Sequence, residues 1–156
     1  MTKAEKLSSV NIYEIEYKEL GEYVKLHRKI CNTKETAITS YARFWNSKFD
    51  KFREHLVQEQ IKFDGYRYYF IRFTEECIQS NKYECTRYMR MDGSHTQMTI
   101  AIVPCIEVEK ESKKDPAEEN TMKDIVNSNG KIWVLFPGGE NTGLCPPNCE
   151  DPGNSL

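Results

Sequence analysis

No apolar run in the chain is long enough to cross a bilayer as a helix. The longest, MTIAIVPCI from Met98 to Ile106, falls far short of the roughly twenty residues required and contains a proline, so no membrane-spanning helix is expected. Histidine is scarce, with three residues, which leaves few general bases for nucleophilic catalysis. His27 and His55 fall on expected helices and read as surface or rim residues, and His95 lies beside a turn in GSHTQ. Neither G-x-G-x-x-G nor G-K-[ST] occurs, and Gly138-Gly139 is followed by ENTG rather than by a helix with a lysine. That leaves nucleotide binding without support. A charge excess is also missing: 22 Lys plus Arg against 24 Asp plus Glu give a net charge of -2, which offers no field for nucleic acid or an anionic membrane. The one basic cluster among aromatics, Arg43, Lys48, Lys51 and Arg53, is diluted by Asp50, Glu54 and Glu59, so no nucleic-acid partner is expected.

The first twenty residues never reach the apolar core of a secretory signal, and no Asn-x-Ser/Thr acceptor is present. A cytoplasmic location is therefore expected, and with it reduced thiols for the six cysteines. Cys105 lies in the apolar run and reads as a small buried hydrophobe.

What the chain does have is enough apolar and aromatic residues, 38% and 12% of 156, for a single core. In KELGEYVKLHRK, Leu20, Tyr23, Val24 and His27 repeat at helical intervals, weakened by Gly21, and NIYEIEY before it alternates like a short strand. A second helix is expected over SKFDKFREHLVQEQ, where Phe49, Phe52, Leu56 and Val57 form the apolar face and Ser47 with Asp50 resembles a capping box. YRYYFIRF is the clearest strand. Tyr66, Tyr68, Phe70 and Arg72 share one face and Arg67, Tyr69, Ile71 and Phe73 the other, a pattern suited to a central position. Next come a hairpin turning at Asp92-Gly93-Ser94, a strand from Gln97 limited by Pro104, and a charged excursion over 107–120. KDIVNSNG reads as a helical turn and Lys131 to Phe136 as the last strand. The expected fold is α+β: N-terminal helices on a mostly antiparallel sheet, one domain over 1–137, then an irregular Gly/Pro/Cys tail over 138–156.

That tail holds CPPNC. Cys145 and Cys149 have the spacing of half a zinc site, yet no second close Cys/His pair accompanies them. The pair is one residue longer than C-x-x-C and opens no helix, so the readings run from a docking tail, through an oxidisable pair, to a zinc ligand pair. With GYRYYFIRF and QMTIAIVP, the ending GLCPPNC resembles a group of small bacterial proteins that share an aromatic-rich central strand and a C-terminal C-P-P-x-C. The group has no established activity, so the resemblance implies no catalytic residue.

Two functions from different classes follow. The first is a non-enzymatic interaction or accessory protein that binds a protein partner or its own copies through Tyr66, Tyr68, Arg72 and Arg87, since tyrosine and arginine are enriched at interface hot spots. It needs no cofactor. The second is a zinc-binding or thiol/disulfide protein using Cys145 and Cys149. A dispersed acid/base site drawing on His95, Glu75 and Tyr69 is the third and least supported class.

Overall fold

The sheet is built from strands whose alternate residues face two different helical layers. In the computed structural model the described residues are 2, 11–31, 41–42, 44–89, 91–92, 95–109, 120–137 and 144–145. Chain order gives β1 (Ile12–Glu16), α1 (Tyr17–Cys31), β2 (Tyr41–Ala42), α2 (Asn46–Gln58), β3 (Gly65–Arg72), α3 (Glu75–Gln79) and a 3-10 turn (Glu84–Tyr88). There follow β4 (Met91–Asp92), β5 (His95–Thr96), β6 (Met98–Val108), β7 (Thr121–Asp124), β8 (Lys131–Leu135) and β9 (Leu144–Cys145). The main sheet is five-stranded and antiparallel in the order β1-β8-β6-β3, with β7 also on β6. This is an α+β fold with its helices on an antiparallel sheet, as the sequence leads one to expect.

One face carries Ile15, Tyr69, Ile71, Ala101, Val103, Cys105, Ile132 and Val134, and packs against Leu20 and Tyr23 of α1 together with Cys77, Tyr83 and Cys85. The other carries Ile12, Ile102 and Leu135 and packs against Phe52 and Leu56 of α2. Two cores therefore share one wall. The alternation along β3 makes this possible, because residues of odd number feed the first core and Tyr66 feeds the second.

Several elements differ from the sequence reading. β3 lies at the edge of the sheet, not its centre, because β6 takes the middle. β6 also runs through Pro104 to Val108. The Pro104 carbonyl accepts from the Ile125 N–H at 3.1 Å, so the proline nitrogen faces that same edge. There β8 gives way to β7, with Ile102 opposite Leu135 and Cys105 opposite Asp124, and no ladder bond needs the missing N–H. KDIVNSNG forms no helical turn: Lys123 and Asp124 end β7, and the Asn127 side chain accepts from the N–H groups of Asn129 at 2.9 Å and Lys131 at 3.0 Å. Gly130, at φ 75, then returns the chain into β8. α2 is capped at Trp45 without a side-chain bond, so Ser47 lies inside the first turn instead of forming a capping box. Val57 is 63% exposed, outside the apolar face assigned to it. The hairpin pairs Asp92 with His95, and β6 starts afresh at Met98. Within the tail, Leu144–Cys145 pairs antiparallel with Tyr41–Ala42.

Candidate functional site

The aromatic face of β3 is only partly covered. Tyr66 is held among Phe52 at 5.8 Å, Phe63 at 5.4 Å and Phe49 at 6.1 Å between ring centroids, so α2 and the segment after it close over this end of the strand. Farther along, Tyr68 is 54% and Phe70 57% exposed, although they stand opposite Ile102 and Ile100 of β6. The Phe70 ring lies 6.1 Å from His27 of α1. Two adjacent large aromatics on one face are thus left to solvent.

The other residues singled out from the sequence are dispersed. Arg72 is buried at 2% exposure and donates to the Thr96 carbonyl, so it anchors the short β5 strand from within. Arg87 is exposed on the 3-10 turn, 3.2 Å from Glu84. Of the four, Tyr66, Tyr68 and Arg72 share a strand face, and Tyr68 alone of these three points largely to water. Cys145 lies in β9, and Cys149 falls outside the described residues. His55, expected at the surface, is 3% exposed and meets Trp133 edge-on at 4.1 Å, because the apolar face of α2 is wider than its Phe/Leu spacing implies. Among the described residues no group of three or more His, Cys, Asp or Glu side chains could hold a metal ion.

Two polar centres were invisible to sequence reasoning because their members come from distant parts of the chain. Asp124, at the end of β7, accepts from Tyr17 at 2.6 Å, from Arg67 at 2.7 Å, from Tyr69, and from the Cys105 thiol at 3.3 Å. Arg67 also donates to the Met122 carbonyl, tying β3 to β7 across β6. Glu19, on α1, accepts from Tyr23, from Tyr83 at 2.7 Å and from Lys82. Burial pushes its carboxyl up, but Lys82 and the two hydroxyls outweigh this and hold it below the ordinary carboxylate range. A polar cleft of about 340 Å³ opens beside Glu19, with Cys77 and Thr74 in its wall.

The chemistry of both centres is that of anchors. Burial first, and the Asp124 carboxylate second, push the Cys105 thiol up to about 12, far from a reactive thiolate at neutral pH. Burial likewise raises Cys85, Tyr23 and Tyr83. Every hydroxyl around the two carboxylates is used as a donor. Neither centre presents a nucleophile next to a base.

A protein of this kind, an antiparallel sheet between two helical layers with anchored polar centres and an open aromatic face, belongs to the α+β class. No protein-family model, curated protein or solved structure matches the chain. No described helix is long and apolar enough to cross a membrane.

Proposed function

We propose that the protein acts in the cytoplasm by binding another protein, or a second copy of itself, through the uncovered aromatic face of β3 centred on Tyr68 and Phe70. The observation that carries this is their exposure, 54% and 57%, side by side on a strand whose other even-numbered aromatic, Tyr66, is packed away. Large aromatics left in water at adjacent positions of one face are the composition of an interface centre. Among the described residues the thiols at Cys77, Cys85 and Cys105 are free and buried, and neither polar centre sets a nucleophile beside a base, which favours binding over catalysis. Zinc or disulfide chemistry at Cys145 and Cys149 remains a separate proposal that nothing in the described geometry favours.

The test replaces Tyr68 and Phe70 together by serine. Sedimentation velocity, with affinity capture from the source lysate on wild-type and variant baits, reads the association. The variant is expected to lose self-association or a wild-type-specific partner while its stability changes by no more than about 0.5 kcal/mol, as for exposed sites. Unchanged association, or unfolding of the variant, would sink the reading.

A further inference from the structure

β3 is an outer strand of the main sheet, and Pro104 reveals which of its backbone groups face outward. In a strand the N–H and C=O of one residue point to the same side, and the side alternates from residue to residue. The Pro104 carbonyl accepts from the Ile125 N–H at 3.1 Å, away from β3, and the Cys105 carbonyl turns the other way to accept from the Asp64 N–H at 2.8 Å. Pro104 stands opposite Tyr66, so that pair exchanges no hydrogen bond and the N–H and C=O of Tyr66 face the open edge. By alternation those of Tyr68 and Phe70 do the same, while Arg67, Tyr69 and Ile71 bond to β6. No hydrogen bond from a described residue reaches the outward groups of Tyr66, Tyr68 and Phe70. The residues with exposed rings are therefore also residues with unused backbone donors and acceptors.

An edge of this kind templates pairing with another chain and is ordinarily blunted by a lysine, a proline, a bulge or an unpaired charge. β3 has none of these. GYRYYFIR contains neither lysine nor proline, and its eight residues pair with β6 without a break in register. Arg67 is paired with Asp124 and Arg72 donates to the Thr96 carbonyl, so neither leaves a bare charge for an added strand to bury. Phe63 borders the open stretch at Tyr66, and His27 of α1 lies 6.1 Å from Phe70 at the other end. The stretch free to pair runs from Tyr66 to Phe70, with Tyr68 at its middle.

We infer that this edge pairs with the same edge of a second copy, the two β3 strands running antiparallel about a two-fold axis at Tyr68 and joining two sheets into one. This deepens the interaction reading above, rests on it, and names the second copy as the occupant. Hydrogen bonds alone would admit any strand, and the side chains select this one. A two-fold axis normal to the sheet keeps each face continuous, so even-numbered residues meet even-numbered ones. Centred on Tyr68, it sets Tyr66 against the second copy's Phe70 and Tyr68 against the second copy's Tyr68, an aromatic pair at every position of the exposed face. On the other face Arg67 meets the second copy's Tyr69, and no two like charges stand opposite.

The experiment follows amide hydrogen exchange of ¹⁵N-labelled full-length protein along a concentration series, with sedimentation velocity reporting the mass. As dimer forms, the amides of Tyr66, Tyr68 and Phe70 should slow by about tenfold or more, while those of Arg67, Tyr69 and Ile71, bonded to β6 throughout, should keep one rate. Contact between rings alone would not single out alternate residues. Two variants separate backbone from ring: Tyr68→Val keeps the outward N–H, and Tyr68→Pro removes it at an edge position where proline is tolerated. With one hydrogen bond lost from each copy, Tyr68→Pro should dimerise about tenfold more weakly than Tyr68→Val. Exchange in the unaltered chain decides the matter even if Tyr68→Pro fails to fold. A protein monomeric at every concentration, a dimer whose Tyr66, Tyr68 and Phe70 amides exchange as in the monomer, or equal dimerisation of the two variants would overturn the inference. If Tyr68→Ser with Phe70→Ser abolishes association while the alternating protection is absent, edge pairing falls and the interaction reading stands.

Discussion

Asp124 shows how one carboxylate can be kept almost wholly out of water. Its side chain is 3% exposed, yet Arg67, Tyr17, Tyr69 and Cys105 each bring a donor to it, so the charge is paired and its lone pairs are occupied. The same arrangement sets the response to alkali. Cys105 is raised by burial and by Asp124 from 9.0 to about 12, and Tyr13 by burial from 10.0 to about 12. Both groups prefer the protonated state in the folded protein, so their contribution is fully present below about pH 9 and is lost as pH rises through about 12. Thermal melts should hold constant up to about pH 9 and then fall steadily. Replacing Cys105 by alanine should make that fall shallower, and a midpoint unchanged from pH 9 to 11 would contradict the assignment.

Among the elements, α1 is the one held by most kinds of contact: its backbone to Gly130 at 2.9 Å, Tyr17 to Asp124, Glu19 to Lys82 and Tyr83, and Leu20 with Tyr23 to the core. Gly21 is its intrinsic weak point. Because an added Cβ there meets open space, Gly21→Ala should stabilise the protein by about 0.5–1 kcal/mol, read as a raised urea midpoint at constant m-value. Both long helices and β8 were legible from periodicity, and β3 from its aromatic and branched residues. Strand position was not. Apolar bulk on both faces made YRYYFIRF look central, whereas an edge strand between two helical layers shows the same alternation. Pro104 reads as a strand end because the sequence does not reveal that two partner strands meet beside it. The Asp124 centre was illegible for a different reason: Tyr17 and Asp124 lie 107 positions apart, and nothing local marks either as polar and buried.

At the level of the whole molecule, the shared sheet couples the two helical layers. Ile102 and Leu135 line the α2 core, while their chain neighbours Ala101, Val103 and Val134 line the α1 core. Loss of packing on one side therefore loosens the strands that form the other. Phe52 is fully buried against the sheet, and Phe52→Ala should cost about 3–5 kcal/mol. Its loss is expected to lower the near-UV signal of the aromatic cluster around Phe73 and the far-UV signal in one coincident transition. Separate transitions would mean that the layers unfold independently.

The pairing of β1 with β8 also bears on how the protein is made. Ile12 meets Leu135 and Ile15 meets Ile132, so among the described residues the first strand of the sheet finds its partner more than a hundred positions later in the chain. During synthesis at about 5–20 residues per second, Ile12 and Ile15 emerge roughly ten seconds before that partner exists. Through that interval the two isoleucines, each at most 4% exposed in the finished protein, are open to water or to a chaperone, and closure of the sheet is the step that ends the nascent chain's exposure.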